Sequence, residues 1–284
     1  MVLESLFNPF TLKKHPWELF LAGFIYSMVG LLISYFVFKE IAGILTIFLI
    51  VLATVPMLFS TIKQEEELSL ENVPEIKLLK EHTKVLVYLI FLFLGITFAL
   101  VLSYVFLPHE ISSSIFKLQE QAIVNINSDI QGNVIHEINK FDIFLKIVIN
   151  NIKVLFFCII FSFLYGTGAI FILTWNASVI AAAIGSLFKT EIAKTASLVG
   201  FPYFSSYFGA MTFSFFRYMT HGILEIAAYF VAGLAGGIIS IALIKHNLQE
   251  EKVLIDALDL ILISLGILVL AGIVEVYITP IFFA

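Results

Sequence analysis

Apolar residues run through this chain in blocks too long for any soluble core. Long apolar stretches lie near residues 17–38, 41–62, 85–107, 143–174, 219–244 and 253–278, with shorter apolar pieces at 175–188 and 199–216. A helix needs about 18 or more apolar residues to cross a bilayer, and six of these blocks pass that length. No ten-residue alternation bounded by turns appears, so a membrane barrel is excluded as the reading. The pattern predicts an all-α, polytopic helical membrane protein with six to seven spans, at least one of them short or re-entrant. The 199–216 piece, opened by Gly200 and Pro202, is the candidate for the re-entrant helix, since irregular backbone at membrane depth must be buried in protein or line a cavity. A second irregularity is expected around Gly166 and Gly168, with Trp175 and Asn176 closing the long span at an interface.

Between the blocks, polar segments divide the chain into three parts. Residues 1–107 form an N-terminal membrane block with a charged loop near 63–84, in which Pro74 separates two short helices. Residues 108–142 form a polar segment whose apolar positions, Ile111, Ile115, Leu118 and Ala122, recur at helical spacing, as in a helix lying on the membrane or packed over the bundle. Residues 143–284 form the C-terminal membrane block. Lysines collect at Lys13 and Lys14, at Lys63, Lys77, Lys80 and Lys84, and at Lys245 and Lys252. Short cytoplasmic loops carry the excess of Lys and Arg, so these sites are expected inside and the 108–142 segment and C-terminus outside. The expected localisation is the cell membrane, multi-pass, with a cytoplasmic N-terminus.

Composition agrees with the pattern. Of 284 residues, 60% are apolar and 13% charged, against about 45–50% and about 25% in a soluble domain. The net charge of −5 and the lack of basic clusters exclude nucleic acid as a partner. The single cysteine, Cys158, sits in an apolar run and reads as packing. The first apolar run is longer than a signal-peptide core and is read as a permanent span. No nucleophile, nucleotide or cofactor motif appears, so no catalysis and no cofactor are expected.

Against this background the polar residues inside the spans carry the information, because an ionisable side chain at mid-membrane costs about 2.5–3.5 kcal/mol on insertion scales and faces protein. In "RYMTHGILEIAAYFVAGLAGG", Arg217, His221 and Glu225 recur every fourth residue and share one helix face. That face continues into Tyr229, Gly233 and Gly237, beside a row of Ala228, Ala232, Gly236 and Ser240. Small residues at this spacing let helices approach closely where lipid supplies no hydrophobic drive. With Asn150, Asn151 and Glu275, the stripe is predicted to form an intramembrane polar cluster in the outer half of the bilayer. Three readings remain open: a buried network fixing helix register, a proton relay or ion site, and a metal site. His221 and Glu225 make half of a helix-borne ligand pair with Glu275 as a third ligand, but H-E-x-x-H is not met, since Gly222 follows the histidine and Glu225 stands where its second histidine would. No metal is therefore expected.

The pair in "INNIKVLFF", the glycines of "LYGTGAIFILTWNAS", the run "HGILEIAAYFVAGLAGG" and the terminal "LAGIVEVYITP" resemble, in that order, the stage II sporulation protein M family. The likeness covers roughly residues 143–280, with the first three spans outside it. Thr220, Ala227 and Ala177 stand where the family typically has proline, proline and glycine. The resemblance implies a multispanning, non-enzymatic membrane scaffold or assembly protein, whose motif residues here are Asn150, Asn151, His221, Gly222, Glu225 and Glu275. It also implies partners among other membrane or envelope proteins, or a homo-oligomer, within the lipid bilayer. The alternative is a channel or transporter for an ion or small solute that uses the His/Glu/Asn cluster.

Overall fold

The computed structural model describes residues 16–70, 75–131, 139–165, 168–244 and 251–283. The leading segment to residue 15, the Pro74 bend, Gly166 and Lys245 lie outside the described residues. The described chain is helical throughout: α1 (Pro16–Val37), α2 (Ala42–Leu70), α3 (Glu75–Phe106), α4 (His109–Ile115), α5 (Lys117–Gln131), α6 (Lys140–Tyr165), α7 (Ala169–Val199), α8 (Phe204–Ile244), α9 (Glu251–Ile273) and α10 (Thr279–Phe283). A π-helical turn, Val274–Ile278, joins the last two. Among the described residues seven helices are long and apolar enough to cross a membrane.

The bundle is organised around α8. Residues 226–238 are buried without interruption, and α8 packs against α6, α7 and α9 and, less extensively, α2 and α3. The Gly/Ala rows make this enclosure sterically possible. A Cβ on Gly233 would stand 2.8 Å from that of Ala169 on α7, and one on Gly236 would meet the Ile159 carbonyl oxygen of α6. The first helices interlock in the same way: Gly23 of α1 lies against the Leu92 carbonyl of α3, and Gly95 against that of Phe20. The hydroxyls of Ser34 and Thr46 bond across α1 and α2. One buried cluster joins Leu19 and Leu31 at one end of the chain to Met219, Tyr229 and Leu268 at the other.

Three expected boundaries move. The predicted 143–174 span is shared between two helices: α6 ends at Tyr165, and α7 begins at Ala169 and carries Trp175 and Asn176 within its first turns. Hydropathy does not separate the two, whereas Gly168 sits where a Cβ would overlap the Phe161 carbonyl. The 175–188 piece is accordingly part of a 31-residue helix. The 199–216 piece is not re-entrant but the first part of α8, which runs for 41 residues. Gly200, at φ 80°, and Pro202 form the turn that separates α7 from α8. The charged 63–84 region, finally, does not form two separate short helices: α2 continues to Leu70 and α3 begins at Glu75.

At about 1.5 Å per residue α8 measures about 60 Å, twice a bilayer core. Its Arg217 donates to the Phe283 carbonyl and its Phe213 packs on the Phe283 ring, so α8 meets the last helix there, and ahead of that contact α7 and α8 form a hairpin. The tip is apolar and open, with Leu198, Phe201 and Phe204 each more than 80% exposed. In the 108–142 segment the expected helix is two helices meeting at Phe116, whose burial beside Tyr104 pins the corner. Tyr104 donates to Glu120 at 2.7 Å, and Gln119 donates to Ser178 of α7 at 3.1 Å.

Candidate functional site

Four segments enclose a cavity of about 610 Å³ within the C-terminal helices, lined by α6, α7, α8 and the π turn. Its floor is acidic. Asn151, buried on α6, donates from Nδ2 to Oε1 of Glu225 on α8, and Glu275 of the π turn lines the same cavity. His221, one turn before Glu225, places Nε2 at 4.0 Å from Glu275 Oε1 and Nδ1 at 3.3 Å from the Thr279 hydroxyl. The π turn matters here, since its wider winding re-aims a side chain and such turns concentrate at functional sites. It presents Glu275 to the cavity while Val276 stays buried on the neighbouring side.

The rim is of opposite charge. Lys146, Asn150 and Lys153 follow one another at i, i+4 and i+7 on α6, so they share a face, and all three are exposed and line the cavity. Asn176 of α7 completes the wall; its Nδ2 donates to the Ile172 carbonyl at 2.8 Å, which leaves its Oδ1 for the cavity.

The predicted residues thus divide. Asn151, Glu225, Glu275 and His221 come together between α6, α8 and the π turn. Asn150 is nearby but on the rim. Arg217 does not reach the carboxylates: its guanidinium donates to the Phe283 carbonyl at 2.7 Å and lies over the Phe213 ring. It ties down the last turn of α10. Ala228, Ala232, Gly233, Gly236 and Gly237 are buried along α8. Sequence reasoning missed Lys146, Lys153 and Asn176 as cavity residues, although the i, i+4, i+7 spacing on α6 was available. Among the described residues no group of three His, Cys, Asp or Glu side chains is placed to hold a metal ion.

Arg217→Ala should release the α10 turn. A hydrogen bond from a charged group contributes about 1.5–3 kcal/mol, so amide exchange over 279–283 should quicken about tenfold or more while exchange in 226–238 stays unchanged. Equal exchange in the two proteins would show that the guanidinium does not hold the turn.

Fold and site together define a helical membrane protein: among the described residues seven helices are long and apolar enough to span a bilayer, and α6, α7, α8 and the π turn line a cavity that holds polar side chains. The chain belongs to the stage II sporulation protein M family, whose characteristic sequence it matches over residues 85–280. The match therefore reaches further toward the N-terminus than residue 143: α4, α5 and α3 from Val85 onward fall inside it, and the first two spans lie outside. An uncharacterized protein of Methanocaldococcus jannaschii is similar, at 27% identity over 175 residues, covering 59% of this chain and 83% of that protein. No solved structure matches the chain.

Proposed function

We propose that this chain is a carrier or channel for an ion or small polar solute, working in the cell membrane without catalysis. The observation that carries the reading is the cavity of about 610 Å³ with the Asn151–Glu225 pair at its floor. Ionisable groups at membrane depth mark substrate and proton pathways, and a half-buried acid pair beside a histidine can take up or release a proton or bind a cation. With a cytoplasmic N-terminus, as the lysine distribution favours, the cavity lies in the outer half of the bilayer.

Glu225→Gln tests this in proteoliposomes. Glutamine keeps the hydrogen bond to Asn151 and cannot carry a proton or a charge. Flux should fall to background while the purified variant unfolds at the wild-type temperature. Flux unchanged by Glu225→Gln and by His221→Ala would overturn the transport reading.

The scaffold reading has separate support in the open apolar tip of the α7–α8 hairpin. It predicts cross-links from Phe201 and Phe204 to another envelope protein or a second copy. Their absence in intact membranes would remove that support.

A further inference from the structure

Lys153 has no reason to be where it is unless the cavity uses it. It lies thirteen residues from the start of α6 and twelve from its end, about 18–20 Å from either. That exceeds what a lysine side chain spans, so it cannot bring its ammonium to an interface by snorkelling. Neither Lys153 nor Lys146 has an ion-pair partner among the described residues. Both nevertheless line the same cavity as Glu225 and Glu275. Lys146, Asn150 and Lys153 occupy one face of α6, while Asn151, one residue round the helix, turns to the floor. The cavity therefore offers two cations at its rim and two carboxyl groups at its floor, with the amides of Asn150 and Asn176 between them.

We propose that this cavity binds a small zwitterion, with its ammonium group against Glu225 and Glu275 and its carboxylate or phosphate against Lys153 and Lys146. A simple cation would leave Lys153 unpartnered at mid-membrane, and a simple anion would face two carboxyl groups. A molecule carrying both charges partners each set. The volume accommodates a free amino acid or a short peptide. The same chemistry occurs in a phosphoethanolamine lipid headgroup. This inference rests on the solute-binding reading above and names its substrate class.

The full-length protein in lipid-free detergent tests it by equilibrium binding of three radiolabelled mixtures: amino acids with dipeptides, the matching primary amines, and the matching carboxylic acids. Lysophosphatidylethanolamine is a fourth probe that separates a headgroup from a soluble zwitterion. The zwitterions, or the lysolipid alone if the source is a headgroup, should bind about tenfold or more tighter than either single-charge mixture. Lys153→Met should erase that advantage over the amines, and Glu225→Gln the advantage over the acids. Lys153→Met replaces a costly mid-span charge, so its thermal stability should equal or exceed the wild type, which separates lost binding from lost folding. Amines binding as tightly as zwitterions would overturn the inference and leave a cation carrier standing. Failure of every probe to bind would overturn it as well, and Glu225-independent flux would then remove the transport reading separately.

Discussion

Gly236→Leu leaves no folded bundle. A Cβ at this position enters the Ile159 carbonyl oxygen of α6 and stands 3.1 Å from the Ser162 Cβ. The obstruction is mostly backbone, and a longer side chain has no rotamer that avoids it. Overpacking a well-packed core costs about 1–3 kcal/mol and more where backbone must move, against a total stability of about 5–15 kcal/mol for a folded protein. The variant should elute in the void volume in detergent size-exclusion chromatography. Gly266→Leu is the control, because nothing lies within 4 Å of a Cβ there; it should elute and melt like the wild type. A monodisperse Gly236→Leu protein with a wild-type melting temperature would refute the close approach of α6 and α8.

The effect is confined to particular glycines, and the sequence already distinguished them. Ala228, Ala232, Gly236 and Ser240 repeat every fourth residue, and their enclosure by three helices follows from that row. The division between α6 and α7 was legible only as an irregularity expected around Gly166 and Gly168, because hydropathy measures transfer of side chains to lipid and is blind to where one helix ends. Tyr165 and Ala169, the residues that bound it, are both apolar, so the two helices read as one span. The opposite error arose at 199–216. A bilayer core needs about 20 residues, and the expectation of one such length per helix divided α8 in two, whereas nothing physical ends a helix at that length.

The site was legible by the same measure. His221 and Glu225 were recognisable from their four-residue spacing and Asn151 from its place in an apolar run, since unpaired polar groups at membrane depth must find one another. Arg217 shares that spacing and yet points elsewhere, because the last turn of the chain offers it a carbonyl that no sequence pattern reveals. Lys146 and Lys153 stood inside an apolar block and were not singled out. In α6, which runs from Lys140 to Tyr165, Lys153 falls at the middle, where a charge needs a partner.

Asn151→Leu and Glu225→Leu should each destabilise the bundle, and the double variant should be more stable than the sum of the two losses allows. Asn151 is buried and bonds to Glu225. Each single change strands a polar partner, at a cost of about 1–3 kcal/mol. Changing both removes the pair and leaves apolar groups of similar size, so the coupling in a double-mutant cycle should fall within the range of about 0.5–3 kcal/mol seen for groups in contact. Chemical unfolding in detergent measures it, and losses that add within about 0.3–0.5 kcal/mol would show that the two side chains act independently. The cycle also discriminates between the readings of the site. If the pair only fixes helix register, the double variant should regain activity together with stability. If Glu225 receives the solute, the double variant should fold and transport nothing, because a leucine pair restores the packing but supplies neither a proton site nor a negative charge. Recovery of flux in the folded double variant would therefore transfer the function away from the cavity floor, and its absence, in a protein with restored unfolding behaviour, would place it there.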